Sequence, residues 1–84
     1  MVSKNLKELI QTLLSIEDEK EMLNFLEGIL TTKELDEIPT RLQIVKMLKA
    51  DISQHEIAEK LGVGIATVTR GATEIKKGRF KNIT

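Results

Sequence analysis

Apolar residues in the first part of the chain recur at helical spacing. Leu6, Leu9, Ile10, Leu13 and Leu14 follow one another at three- and four-residue steps, which lines one face of a helix that Ser3 can cap and that ends near Ser15. Ser15 also reads as the cap of a second helix, with Glu17, Asp18 and Glu19 in its first turn, where carboxylates meet the positive end of the macrodipole. Met22, Leu23, Phe25, Leu26, Ile29 and Leu30 then cover more than a narrow stripe, and a surface that wide calls for two packing partners. Thr31 followed by Glu34 forms a capping box that starts a third helical segment around Thr32. Pro39 lacks a backbone donor and crowds the carbonyl four residues earlier, which predicts a break near Ile38 and a renewed helix from Pro39 to about Ala50. Leu42, Val45 and Leu48 mark one face of that helix, and Ile44 and Met47 mark its neighbour.

The segment from Ser53 to Gly71 carries a sharper pattern. Ser53-Gln54-His55-Glu56 is a second capping box, and Ile57, Ala58 and Leu61 give the helix it opens an inner face. Gly62 permits a sharp turn, Val63 can plug the corner, and Gly64 leads into a second helix in which Val68, Ala72 and Ile75 repeat at helical steps. Small Ala58, turn-forming Gly62 and inward Val68 are what two steeply crossing helices require, so the segment reads as a helix-turn-helix. In such proteins the start of the second helix approaches base edges in the major groove. Ile65, Ala66 and Thr67 would offer small apolar contacts and one hydroxyl, suited to thymine methyls and water-bridged contacts. Thr69, Arg70 and Lys76 would meet phosphates, as would the backbone donors of Gly64 and Ile65. Two short helices around a glycine also occur in helical proteins that never touch DNA, and a helical protein-interaction module is the alternative.

Composition supports an all-α fold. The apolar residues are nearly all Leu, Ile, Val, Met and Ala, with two Phe and no Trp or Tyr. A chain of 84 residues has room for one domain and buries too little surface to be comfortably stable alone. Cysteine is absent and there is one histidine, so neither disulfides nor an ordinary metal site can help, and oligomerisation is the remaining common route. The expected organisation is a single domain over 1–84, with a helical dimerisation core at 1–50, the helix-turn-helix at 53–72 and a short flexible tail at 78–84. Thirteen basic side chains balance thirteen acidic ones, but acids predominate from Ser15 to Glu37, and Lys76, Lys77, Arg79 and Lys81 make the far end basic. No stretch has the length of a membrane span or the profile of a secretory signal, so a cytoplasmic protein with no membrane partner is expected. No nucleophile-base pair, metal cluster or phosphate-binding loop is legible, and no enzyme is expected.

Thr40-Arg41-Leu42-Gln43-Ile44-Val45, Ser53-Gln54 and the glycine-bracketed run Gly64-Ile65-Ala66-Thr67-Val68-Thr69-Arg70-Gly71 closely resemble the bacterial tryptophan repressor family, and the likeness extends from Leu26 to Lys76. The resemblance implies an intertwined homodimer that binds double-stranded operator DNA as a transcriptional repressor, with L-tryptophan or a related amino acid as corepressor and no other cofactor. It implies that Arg41 and Arg70 sandwich the indole, that Arg70 or Arg41 with Thr31 holds the carboxylate, and that Gly71 leaves space for the ring. The carbonyls of Gly28 and Leu30 would receive the amino group. Gln54 and His55 join the DNA-facing set by the same resemblance. The corepressor would then set the two reading heads about 34 Å apart, the spacing established for helix-turn-helix dimers, this family among them.

The chain departs from the family at several positions. Glu74 stands where the family usually has serine, so its carboxylate would pair with a ligand ammonium or repel a ligand carboxylate. His55 replaces an arginine that reads guanine and Ala58 a neighbouring lysine, so the operator need not be shared. The family's last helix and one residue of the Leu48 to Ile52 connection are lacking, and dimer packing would differ there. Each residue also has a plainer reading: Arg41 as a surface partner of Asp36 or Glu37, and Arg70 as a phosphate contact instead of a ligand contact. A ligand-independent regulator of the same fold is the nearest alternative.

Overall fold

A computed structural model describes all residues, 1–84. It contains five helices and no strand: α1 (Lys4–Ser15), α2 (Glu19–Ile29), α3 (Thr32–Lys49), α4 (Gln54–Leu61) and α5 (Ile65–Lys76). The fold is therefore all-α with a helix-turn-helix. None of these helices is long and apolar enough to cross a membrane. The chain forms two compact units, Met1–Leu35 and Asp36–Thr84.

In the first unit, capping chemistry sets the helix boundaries. The Ser3 hydroxyl accepts the Leu6 N–H at 3.1 Å and opens α1. Asp18, not Ser15, caps α2: its carboxylate accepts the Glu21 N–H at 3.0 Å, while the Ser15 hydroxyl donates to the Thr12 carbonyl at 2.7 Å. Ile16 is extended, which uncouples the end of α1 from the start of α2 and moves Glu17 and Asp18 out of the first turn. The Thr31 box forms reciprocally, Glu34 N–H to the Thr31 hydroxyl at 3.1 Å and Thr31 N–H to the Glu34 carboxylate at 2.9 Å, and α3 begins at Thr32 as expected. Neither α1 nor α2 contains a buried residue, and Leu6, Ile10, Leu14, Leu23 and Ile29 are exposed.

α3 corrects the reading of Pro39. The helix runs through the proline over 18 residues instead of breaking at Ile38. Proline removes only its own bond to the Leu35 carbonyl, and the Thr40 hydroxyl donates to the next carbonyl, Asp36, at 2.9 Å. A proline in a helix interior costs about 3 kcal/mol or more, and packing further along the helix offsets it. Ile44 and Val45 of α3 are buried with Ile57 of α4 and Val68 of α5, and they form the core of the second unit. Met47, Leu48, Ile52, Ala58, Leu61 and Val63 close around it.

Each helix of this unit ends with a residue in the left-handed region, where the chain turns back on the helix. After α4 the residue is Gly62 (φ 65°), with the Val63 N–H bonded to the Ala58 carbonyl at 3.1 Å. After α5 it is Gly78 (φ 82°), with the Arg79 N–H on the Glu74 carbonyl at 3.2 Å. After α3 it is Asp51 (φ 63°), with the Ile52 N–H on the Met47 carbonyl at 3.1 Å. Asp51 bears a side chain where L-residues are disfavoured and a negative charge at the negative end of a helix. Asp51→Gly is therefore expected to stabilise the protein by about 0.5–1 kcal/mol, read as a higher thermal midpoint.

Candidate ligand cleft and nucleic-acid interface

Ser53 opens α4 by accepting the Glu56 N–H at 3.2 Å. The return half of this box is not made, because the Glu56 carboxylate pairs with Lys60 at 3.3 Å. Gly62 then turns the chain, and α5 starts at Ile65 behind Gly64, which is extended and contributes no side-chain cap. With Val68 fully buried on the inner face, Ile65, Ala66 and Thr67 are exposed, and so are Gly64, His55, Thr69, Arg70 and Lys76. The first turn of α5 thus presents small side chains and uncapped backbone donors to solvent.

Thr69 and Gln54 have an internal role. The Thr69 hydroxyl lies 2.7 Å from Gln54 Oε1 and 3.0 Å from the Ile65 carbonyl, so its proton is taken by the protein itself and it ties the start of α4 to α5. Gln54 keeps its amide N–H donors for a phosphate, whereas Thr69 is poorly placed to offer one.

A cleft of about 550 Å³ lies in the second unit. Its floor is Ile44 and Val45, one wall is Ile38, Arg41 and Leu42 from α3, and the other is Thr67, Arg70, Gly71 and Glu74 from α5. Arg79 and Phe80, from the turn after α5, complete the lining. The structure therefore brings Arg41, Arg70, Gly71 and Glu74 together. Gly28, Leu30 and Thr31 are not lining residues; they belong to the unit Met1–Leu35, where the Thr31 hydroxyl caps α3.

Local electrostatics qualify these assignments. Arg41 lies 3.7 Å from the Glu37 carboxylate, the surface pairing its plainer reading anticipated. Glu74 is bonded to Lys77 at 3.1 Å. That hydrogen bond holds its carboxyl below the usual carboxylate range despite the opposing effect of burial, with the charges of Lys77, Arg79 and Arg70 acting in the same direction as the bond.

Gly71 has a packing reason independent of any ligand. A Cβ there would lie 3.0 Å from Ile44 Cγ2 and 3.4 Å from Leu48 Cδ1, so the glycine lets α5 approach α3 closely. Gly71→Ala is expected to cost about 1 kcal/mol, because displacing buried Ile44 outweighs the gain in helix propensity. Thermal denaturation checks this.

Sequence reasoning missed Arg79 and Phe80 because they fall in the segment 78–84, expected as a short flexible tail. Gly78 turns the chain back: its N–H bonds the Ile75 carbonyl at 2.9 Å and sets Arg79 beside Glu74. Residues 77–82 form turns, and Lys49 Nζ donates to the Phe80 carbonyl and, at 2.6 Å, to that of Ile83.

A short helix pair around one buried core, with the start of its second helix bare to solvent, defines a helix-turn-helix protein. The chain belongs to the Trp repressor family, whose description, Trp repressor protein, matches residues 4–82. It is 36% identical over 75 residues to the Trp operon repressor homolog of Xylella fastidiosa (strain 9a5c), covering 88% of this chain and 82% of that one. To the Trp operon repressor homolog of Vibrio campbellii it is 34% identical over 74 residues, covering 87% and 74%. With that of Vibrio vulnificus (strain YJ016) identity rises to 45% over 49 residues, covering 57% of this chain and 48% of the relative. No solved structure matches the chain significantly.

Proposed function

We propose that this protein is a DNA-binding transcriptional repressor that acts as a homodimer on a palindromic operator, with L-tryptophan or a related amino acid as corepressor. The observation that carries this reading is the exposure of Ile65, Ala66 and Thr67 on a helix whose opposite face is anchored by Val68. A major groove accepts such a helix start, and Arg70, Lys76 and the amide of Gln54 would hold the flanking phosphates. The bare apolar faces of α1 and α2 support a second copy as partner, since a chain this small gains stability by covering them.

Coupling between ligand and DNA would run through α5. Thr67 and Arg70 line the cleft and also stand on the DNA-facing side of the helix, so a ligand against them would fix the orientation of the reading residues. Arg70→Ala is expected to weaken both DNA and corepressor binding, each by about 10- to 100-fold, the value of a charge-assisted contact. Anisotropy with labelled duplex and calorimetry with L-tryptophan read the two losses separately.

The Glu74–Lys77 pair favours one alternative, a ligand-independent regulator, because it places an ionised carboxylate on the cleft wall. Titration of duplex DNA with and without millimolar L-tryptophan separates the readings. Tighter, salt-sensitive binding with the amino acid supports the corepressor; equal binding with no thermal stabilisation supports the alternative. Absence of DNA binding at low salt rejects both.

A further inference from the structure

We propose that the turn after α5 is part of the ligand site, with Arg79 as an anion-selecting residue and Phe80 as an aromatic wall, so that the cleft prefers a flat apolar ligand carrying net negative charge. The inference rests on the reading of this cleft as the ligand site. Three guanidinium groups, Arg41, Arg70 and Arg79, line the cleft against one carboxylate, Glu74; Lys77 is bonded to that carboxylate and Glu37 lies 3.7 Å from Arg41, which leaves the charges of Arg70 and Arg79 in excess. A zwitterion brings no net charge to offset this excess, whereas an anion does, and planar guanidinium groups suit a carboxylate. Glu74, held by Lys77, is a weak partner for a ligand ammonium. The segment is fixed in place: the Gly78 turn bonds Arg79 back to the Glu74 carbonyl at 3.2 Å, and Lys49 grips the carbonyls of Phe80 and Ile83. Phe80 is half-buried and lines the cleft together with Ile44 and Val45.

A charge series on one ring system tests this with the full chain. Indole-3-acetate is an anion, L-tryptophan a zwitterion and tryptamine a cation, and calorimetry of each against the wild type, Arg79→Ala and Arg79→Lys gives the result. The wild type is expected to bind the anion at least as tightly as the zwitterion and both well above the cation. Arg79→Ala is expected to weaken indole-3-acetate about tenfold or more and leave tryptamine unchanged, while Arg79→Lys retains most of the affinity. Arg79 is exposed, and an unchanged melting profile without ligand shows that the variants fold. If indole-3-acetate binds the wild type and Arg79→Ala equally, or if L-tryptophan or tryptamine binds the wild type more tightly than indole-3-acetate does, the inference falls while the cleft remains a ligand site. If no probe binds the wild type at millimolar concentration, the ligand-site reading falls with it.

Discussion

Ile57→Ala is expected to destabilise the protein by about 2–5 kcal/mol, lowering its thermal midpoint on the order of 15 °C. Ile57 has no exposed surface, and it stands with Ile44 and Val68 in the three-residue centre that joins α3, α4 and α5. So few fully buried side chains leave little redundancy. Removing the Ile57 side chain beyond Cβ would leave a cavity whose lining includes the residue that anchors α5, and backbone bonds across three helices would limit collapse into it. Against a total stability of about 5–10 kcal/mol that loss is a large fraction, and it populates the unfolded state visibly where the loss approaches the total. Ile57→Val, which keeps most of the packing, should cost only about 0.5–1.5 kcal/mol. Equal melting of Ile57→Ala and wild type would mean that the core lies elsewhere. DNA affinity of the variant should fall in step with the folded fraction, since Ile57 itself touches no proposed ligand.

What was legible in the sequence is what local chemistry decides. Ser3 and the Thr31–Glu34 box located two helix starts because a cap is a contact between near neighbours, and Gly62 located the turn because few residues tolerate its backbone. Pro39 misled because its local penalty is opposed by the distant burial of Ile44 and Val45, which the run around the proline does not display. Ser15 and Asp18 competed for one cap, and the extended backbone at Ile16 decided between them. At the site, Arg41, Arg70, Gly71 and Glu74 were found through family resemblance, and their convergence on one cleft follows from α5 crossing α3 closely at Gly71. Arg79 and Phe80 could not be placed, since their position depends on the return turn at Gly78 and on Lys49, which is remote in sequence. The Thr69–Gln54 bond was hidden for the same reason.

The most direct test of the groove-facing helix start is Ala66→Glu. Ala66 is exposed in the first turn of α5, where a carboxylate meets the positive end of the macrodipole, so folding should be unaffected or slightly favoured, by about 0.3–1 kcal/mol. Against DNA the same carboxylate would face phosphates and base edges, and like-charge juxtaposition costs several kcal/mol. Anisotropy titration of labelled operator-type duplex, beside a thermal melt, reads both quantities. A melting temperature at or above that of the wild type, with duplex affinity lower by about 100-fold or more, is the expected result. Wild-type affinity in a folded Ala66→Glu variant would show that this helix start does not enter the groove.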